Sequence, residues 1–452
     1  MSKLLLRGRV LTFVDEPKSI DDHSAYSYFE EGAVLIENGK IAEAGEYAAL
    51  ASVAGPQAEV VDHRPHLILP GFIDTHLHFP QTQAIASYGA QLLEWLNTYI
   101  FVEEQKFSST AHADFIAGRF MDELLRNGTT SAVAYCSVHP ESVDAYFTAA
   151  AKRNMLMIGG KVMMDRNAPD ALRDTPQSGY DDTKALIAKW HGRGRAYYAI
   201  SPRFAITSTP EQMEMSRALV REHPKCYVQT HLSENKDEIA FATSLYPSAR
   251  DYTDIYANYD LLGLKTLLGH CIFLSDREIS VLAETGSVAV FCPTSNLFLG
   301  SGLFDRDRFR NLGARTSVAT DVGGGTSFSM LETMSEAYKV LHVQRQRLSP
   351  FASYYMMTLG NARALGLEDR IGSLQPGADA DITILDSHAK PAMELRMRTA
   401  TTLAEELFIL QTMGDDRSVA EVYVAGKPMK RGLDKPASAN VPARSIPELQ
   451  TA

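Results

Sequence analysis

Two histidines one residue apart are the first sign of chemistry in this sequence. His76 and His78 end an apolar run in the stretch PGFIDTHLHF, residues 70–79. Side chains two apart on a β-strand point to the same face, so both imidazoles would lie together. Imidazole nitrogen is a common ligand for Zn²⁺ and similar ions. The pair alone fits two hydrogen-bonded histidines equally well, so its meaning depends on what else meets it.

Three further side chains of metal-binding types lie at the ends of later strand-like runs. His231 lies in QTHLSE, His270 in LLGHC and Asp321 in VATDVGGG. Imidazole nitrogens and one carboxylate, with water in a further position, suit a catalytic Zn²⁺ or a similar divalent ion. The prediction holds only if the fold brings these strand ends together.

The elements that would position these residues follow a repeating order. Short β-rich runs alternate with longer helical stretches, and the run ending at His78 is the first of eight. The others cover residues 129–138, 155–164, 196–205, 226–234, 265–274, 286–295 and 315–325. Alternating strands and helices predict parallel βα units, and eight of them predict an α/β fold, a (β/α)8 TIM barrel. Barrel enzymes place their chemistry at the C-terminal strand ends, where these five side chains lie.

The two flanks of the chain have a different pattern. Residues 1–68 contain alternating strands around Asn38-Gly39, a strong hairpin signal, and residues 371–452 contain strand-like segments separated by turn residues. Neither flank is long enough for a sandwich alone. We therefore expect residues 1–68 and 371–452, the latter with the C-terminal tail, to build one small β-sandwich domain beside a barrel formed by 69–370.

Composition narrows the class of partner. Lys plus Arg total 44 against 55 for Asp plus Glu, the net charge is −11, and no basic block predicts a nucleic-acid or membrane surface. We expect a small-molecule substrate. No signal peptide and no run of about eighteen apolar residues is found, so we predict a cytoplasmic protein. The four scattered cysteines form no CxxC pair and are expected to be reduced core residues.

A resemblance extends over nearly the whole chain. The segments PGFIDTHLHF, HLSENKDEI, GHCIFLSDREI and ATDVGGGTSFSML resemble the metal-dependent amidohydrolase superfamily, and HFPQT, SPRFAITST and HLSEN resemble its guanine deaminases. The cytidine-deaminase type of zinc site, which combines HxE with PCxxC, is absent, because no PCxxC occurs in the sequence. The resemblance also suggests a homodimer.

The resemblance implies a ligand set. One Zn²⁺ per chain would be held by His76, His78, His231 and Asp321, with His270 close to the metal-bound water. Many two-metal relatives use a modified lysine at the end of strand four, where this chain has AISPRFA. Lys161 belongs to strand three. A mononuclear site is therefore expected.

Glu234 is the candidate proton carrier. It follows His231 by three residues, and we expect it to protonate the ring nitrogen beside the attacked carbon. His270 and Asp321 would orient the water and help pass its proton to the departing amine. A carboxylate that stabilises the start of the following helix is the alternative for Glu234.

Gln81, Arg203 and Phe204 are expected to reach the same rim. Arg and Gln can read the polar edge of a purine while Phe packs on its plane, and His231, Glu234, His270 and Asp321 would complete the substrate site. An ion pair with a rim carboxylate is the alternative for Arg203.

Other nearby residues receive simpler expectations. Trp95 and Glu94 are expected to form a pocket wall, although a simple amphipathic turn stays open. Glu103-Glu104 is expected on a solvated face. Residues 323–325, Gly-Gly-Gly, lack the Lys-Ser/Thr of a P-loop and are expected to thin the backbone near the metal.

Three functions remain from the sequence. The first is hydrolytic deamination of guanine to xanthine and ammonia by a zinc-activated water. The second is displacement of amine or halide from another heterocycle, such as a pterin or a triazine. The third is a non-catalytic assembly partner of the same fold, which usually loses metal ligands, whereas all of them are present here.

Overall fold

The structure is a computed structural model that describes residues 3–88 and 91–433. The C-terminal tail beyond residue 433 lies outside the described residues. Among those described, no helix combines the length and the apolar character that crossing a bilayer requires.

The strands fall into two sheets. In chain order they are β1 Lys3–Phe13, β2 Tyr26–Glu37, β3 Lys40–Glu46, β4 Glu59–Pro70, β5 Phe72–His78, β6 Thr129–Tyr135, β7 Leu156–Gly160, β8 Val162–Met163, β9 Ala196–Pro202, β10 Tyr227–Leu232, β11 Thr266–His270, β12 Val288–Phe291, β13 Arg315–Val318, β14 Ile382–Leu385, β15 Val419–Val424 and β16 Lys427–Pro428. Each strand from β5 to β13 begins inside a run that the sequence pattern identified.

The α-helices mostly alternate with these strands. They are α1 Tyr47–Ala54, α2 Leu92–Trp95, α3 Phe101–Glu104, α4 Thr110–Arg126, α5 Pro140–Arg153, α6 Pro176–Trp190, α7 Pro210–Glu222, α8 Lys236–Leu245, α9 Tyr252–Asn258, α10 Asp276–Thr285, α11 Pro293–Phe298, α12 Arg306–Asn311, α13 Met330–Val343, α14 Pro350–Tyr355, α15 Asn361–Leu365, α16 Pro391–Met397 and α17 Leu403–Met413.

Local sequence explains where these helices begin and end, as α10 illustrates. The Ser275 side chain accepts from the Glu278 backbone N–H, and Glu278 bonds back to Ser275, which forms a capping box. Ile279 and Leu282 bury one face, and Gly286, with φ 72°, ends the helix in a left-handed conformation. These two caps therefore fix the ends of α10 and the direction in which the chain enters β12.

The barrel is an almost closed ring of parallel strands. The order is β5-β6-β7-β9-β10-β11-β12-β13, with the short β8 paired to β9. Hydrogen bonds between the first and last strand regions complete the ring, from Asp321 N–H to the His76 carbonyl (2.9 Å) and from Thr75 Oγ1 to the Val318 carbonyl (3.1 Å). The predicted (β/α)8 barrel is confirmed, and its closure places the strand ends that carry His76 and Asp321 side by side.

Both chain ends contribute to the second sheet, as predicted. Its seven strands form one mixed sheet in the order β16-β15-β14-β4-β1-β2-β3. Leu6, Val10 and Ile68 are buried on one face, while Leu5 and Leu35 pack on the other face near α1. The chain passes from β4 into β5 through Gly71, so this sheet is joined directly to the first barrel strand.

A buried arginine connects the two sheets. Arg195 precedes β9, and its guanidinium lies 3.0 Å from Asp379 Oδ2 and 3.1 Å from Asp381 Oδ1, just before β14. Burial opposes ionisation of Asp379, but Arg195 together with Lys40 and Arg370 outweighs it and lowers the pKa of Asp379. The exposed fraction of the three side chains is 2–8%, so each charge depends on its partners rather than on water.

Arg195→Ala should therefore destabilise the fold strongly. Asp381 would lose its counter-charge, and Asp379 would be left with the more exposed Lys40 and Arg370. A buried charge that loses its partner typically costs about 3–5 kcal/mol of unfolding free energy. Thermal and urea unfolding at neutral pH measure the loss. Arg64→Ala, which removes an exposed ion pair with Asp62, is the control and should change stability little. Equal effects of the two variants would contradict the proposed importance of the buried cluster.

Candidate active site

Three imidazoles and one carboxylate meet at the C-terminal end of the barrel. His76 and His78 end β5, His231 lies in β10 and Asp321 follows β13. The Nε2 atoms of His78 and His231 are 3.1 Å apart, and Asp321 Oδ1 lies 3.4 Å from His76 Nε2 and 3.5 Å from His78 Nε2. The structure thus brings all four sequence-predicted ligands to one point.

A hydrogen bond fixes the orientation of His231. Its Nδ1 lies 2.7 Å from the Arg203 backbone carbonyl, so Nδ1 carries the proton and donates it there. Nε2 then carries no hydrogen, and its lone pair is directed at the other imidazoles. Such a partner on the far side of the ring is typical of metal-binding histidines.

The ionisation states suit a cation. Burial lowers the pKa of His76, and it lowers those of His78 and His231 well below the usual value, so these rings are neutral. Burial opposes ionisation of Asp321, but the neighbouring His76 and His270 hold its pKa at about 2. Three neutral imidazoles and one carboxylate are the protonation states in which these side chains bind metals.

One atom of this group lacks a partner. His76 Nε2 is buried and makes no hydrogen bond, and a buried polar atom without a partner is costly. Nitrogen atoms of His76, His78 and His231 lie within 4.8 Å of one another. A divalent cation among them would satisfy this nitrogen, so these residues fit a metal ion of the zinc type.

Cys292 belongs to an overlapping group. Its Sγ lies within 4.8 Å of ligand atoms of His76, His270 and Asp321. Burial raises the pKa of this thiol well above its usual value, and only the thiolate is a good ligand. All four cysteines are free and buried, as expected.

Glu234 and His270 form a second buried pair beside this group. Glu234 Oε2 is 3.4 Å from His270 Nε2, and Glu234 Oε1 accepts from Ser301 Oγ at 2.9 Å. His270 Nδ1 lies 2.9 Å from Asn296 Oδ1, to which it donates. Burial raises the pKa of Glu234; burial opposes charge on His270, but the Glu234 and Asp321 carboxylates outweigh it and raise its pKa. Both shifts favour a proton held by this pair.

The helix-start alternative for Glu234 is wrong. The cap of α8 is Asn235, and Glu238 closes the capping box by accepting from the backbone N–H groups of Glu234 (2.8 Å) and Asn235 (3.1 Å). The Glu234 side chain turns instead towards His270 and Ser301. Its carboxylate is thus free of any capping role.

A pocket opens over these groups. It encloses about 420 Å³, including its mouth. Its apolar wall comes from the helical segment after β5 and from one loop residue: Leu92, Trp95, Leu96 and Leu299. Its polar lining includes Gln81, Arg203, Glu234 and His270, and Phe204 lies beside them. Trp95 therefore forms part of the wall as expected, whereas Glu94 does not line the pocket.

The expectation of a solvated Glu103-Glu104 face is wrong for Glu104. Glu104 is 2% exposed, and its two carboxylate oxygens accept from Arg203 Nη1 at 2.9 and 2.6 Å. The Arg203 guanidinium also lies over the Phe101 ring, 5.5 Å from its centre. Ile100, Phe101 and Phe107 pack this helical segment against the barrel rim, which turns Glu104 inward. The rim ion pair considered for Arg203 is thus present, within the pocket wall.

The glycines after Asp321 allow the backbone to pass close to the side chains of the site. A Cβ on Gly324 would lie 2.7 Å from Ser295 Oγ and 3.1 Å from Asp321 Oδ2, and one on Gly325 would collide with the Thr320 carbonyl. No side chain fits here. Lys161, by contrast, points away and pairs with Asp174 at 2.5 Å, so it offers no bridging ligand.

Sequence reasoning missed four residues that contact the site: Glu104, Ser301, Asn296 and Tyr135. Tyr135 stacks on His78, with ring centres 4.6 Å apart, and on His231 at 4.9 Å. Its position at the end of β6, facing the same interior, was the available signal. Ser301 and Asn296 lie beyond strand ends, where strand periodicity carries no information.

Comparisons with known proteins agree with this architecture. Residues 67–429 match the model of the Amidohydrolase family. The chain is 46% identical over 420 residues to a guanine deaminase of Escherichia coli K12, covering 92% of this chain and 96% of that one. A solved E. coli guanine deaminase superposes with a TM-score of 0.91 at 44% identity, covering 95% and 99% of the two chains. A guanine deaminase from C. acetobutylicum, solved with guanine bound in its active site, gives a TM-score of 0.86 at 28% identity over 95% and 100%. With a matching family model over most of its length, the chain belongs to the amidohydrolase family.

Proposed function

We propose that the protein hydrolyses guanine to xanthine and ammonia. One observation carries the proposal: a metal-type centre, the buried Glu234–His270 pair and the Arg203 and Gln81 side chains line a single pocket. Relatives named guanine deaminase that match nearly the full length of both chains support the choice of substrate.

The proposed cofactor is one Zn²⁺ per chain, held by His76, His78, His231 and Asp321. The orphaned His76 Nε2 and the neutral state of the three rings support this set. When bound, the ion would supply a nucleophile at neutral pH, since zinc lowers the pKa of its water to about 7. The homodimer and the cytoplasmic location stay predictions.

Glu234 would carry the proton to the substrate. Addition of water to C2 of guanine requires the neighbouring ring nitrogen to accept the displaced electron pair, so that nitrogen must gain a proton. Burial raises the pKa of Glu234, which favours the protonated carboxyl that can donate. Ser301 holds the other carboxyl oxygen and so fixes the direction of the donor.

His270 and Asp321 would orient the attacking water and help to transfer its proton. His270 Nε2 lies 3.4 Å from Glu234 Oε2 and 3.8 Å from Asp321 Oδ2, so the imidazole stands between the two carboxylates, where a water could contact all three. The amine at C2 leaves as ammonia after it receives the first proton that the water released. As the C2 carbonyl forms, the second proton of the water returns to Glu234, so the sum of these transfers is guanine plus water to xanthine plus ammonia.

Arg203, Gln81 and Phe204 would bind the base. The guanidinium and amide supply N–H donors towards the carbonyl edge of guanine, and the Phe204 ring supplies an apolar contact. Trp95 and the leucines of the wall exclude water from the ring.

The first prediction concerns the substrate. Guanine should be deaminated far better than adenine, cytosine or a melamine-like triazine, because a base without the matching polar atoms leaves buried donors unpaired, a mismatch worth up to about 10⁴- to 10⁵-fold in kcat/KM. Ultraviolet absorbance follows guanine to xanthine, with ammonia quantified in parallel. Turnover of a triazine or a pterin with guanine left intact would instead support the second function.

The second prediction concerns the metal. Purified protein should contain close to one zinc ion per chain by elemental analysis, and His76→Ala should lose both metal and activity. His63→Ala is the matched control, because His63 is also buried but bonds to Tyr423 in the mixed sheet. Two tightly held ions per chain, or full activity after thorough metal removal, would contradict the mononuclear assignment.

The third prediction separates proton transfer from metal binding. Glu234→Gln should keep the metal and lose turnover by about 10²- to 10⁴-fold, as is typical for loss of a general acid or base. Asp237→Asn is the control, because Asp237 is exposed in the first turn of α8, the helix that follows Glu234. This variant should leave metal content and turnover unchanged. A Glu234→Gln rate near that of the wild type would assign the proton transfer to another group.

A further inference from the structure

Glu104 lies behind the two side chains proposed to bind the base. Its Oε1 accepts from Gln81 Nε2 at 3.1 Å, and both of its oxygens accept from Arg203 Nη1. All three side chains are at least 97% buried. The proposed mechanism assigns substrate binding to Gln81 and Arg203 but no role to Glu104.

The contacts of Gln81 leave only one orientation for its amide. Nε2 faces a carboxylate, which can only accept, and Oε1 faces the Gly323 backbone N–H at 3.3 Å, which can only donate. The amide therefore cannot exchange its oxygen and nitrogen without losing both bonds. Nε2 retains one further N–H, while the oxygen is directed to Gly323.

The backbone of Glu104 is held as firmly as its side chain. Ser137 Oγ, just past β6, donates to the Glu104 carbonyl at 3.1 Å, and Phe101 on the same helical turn lies under the Arg203 guanidinium. The carboxylate is thus fixed to the barrel before any substrate arrives, as a preorganised site requires.

We propose that Glu104 is a positioning residue that sets the preference of this pocket for a 6-oxo over a 6-amino purine. By accepting from Gln81 Nε2, Glu104 fixes the amide so that Gln81, like the guanidinium of Arg203, offers N–H groups, and these match the carbonyl oxygen at C6. A 6-amino group would place donor against donor and leave buried groups unpaired. The inference rests on the proposed function, because it assumes that the substrate is a purine.

The test compares guanine with 2,6-diaminopurine, which keeps the amine at C2, carries an amine in place of the oxygen at C6 and lacks the hydrogen on N1. For wild type and Glu104→Gln, kcat and KM are measured for both, with an inhibition constant for the diaminopurine if its turnover is too slow. In the variant, the new amide nitrogen at position 104 can donate to the Gln81 oxygen. The Gln81 amide is then no longer held in one orientation and can rotate. The guanine to diaminopurine ratio of kcat/KM should fall about 10- to 100-fold, chiefly through a higher KM for guanine.

Two further variants make the result specific. Glu103→Gln, whose partner is the neighbouring Lys106, should leave the ratio at the wild-type value. Glu104→Asp keeps the charge but withdraws the carboxylate, so it should lower the ratio less than Glu104→Gln; it also decides the question if Glu104→Gln does not fold. Zinc content and circular dichroism should match the wild type in every variant scored.

Two outcomes would overturn the inference separately from the function. If wild type deaminates guanine and the Glu104 variants lose activity on both purines by the same factor, or keep the wild-type ratio, Glu104 only stabilises the fold. If wild type does not deaminate guanine, the proposed function falls and this inference falls with it.

Discussion

Burial of charge-bearing groups at one end of the barrel is the constraint on which the rest of this structure depends. Neutral imidazoles and an ionised Asp321 lie together among buried side chains, where an uncompensated charge is expensive. The strand ends must therefore fix the orientation of these side chains, and they do so for His231 through the Arg203 carbonyl and for His270 through Asn296. Closure of the ring between β5 and β13 is what brings Asp321 to the histidines at all.

The same constraint explains the helical segment after β5. Its residues wall the pocket with Trp95 and leucines, and its Glu104 neutralises a guanidinium that would otherwise be buried alone. One stretch of chain thus supplies both the dry surface and the counter-charge. A substrate without net charge can then enter a pocket whose arginine is already balanced.

The sequence predicted the parts of the fold and site that depend on local periodicity. Alternation along strands identified the eight barrel strands and placed His76 and His78 on one face, and strand ends located His231, His270 and Asp321. Residues whose partners are distant in sequence could not be found this way. Glu104 meets Gln81 and Arg203, which are 23 and 99 residues away, so a reading of its neighbours alone made it a surface residue. Ser301 lies in a loop and Asn296 in the short helix α11, which has too few residues for a periodic signal to indicate direction. The capping role considered for Glu234 is taken by Glu238, a contact that the sequence did not indicate.

The mixed sheet built from both chain ends has a consequence for the order of folding during synthesis. Strand β4 pairs with β1 from the start of the chain, but its other edge pairs with β14, with Ile382 opposite Pro70. Until the ribosome has delivered β14, a nascent chain therefore presents β4 as an open edge with unpaired backbone groups. Such edges are templates for pairing with other chains, and contacts this distant in sequence form slowly. The finished protein buries that edge, so the hazard belongs to the interval before the last strands emerge.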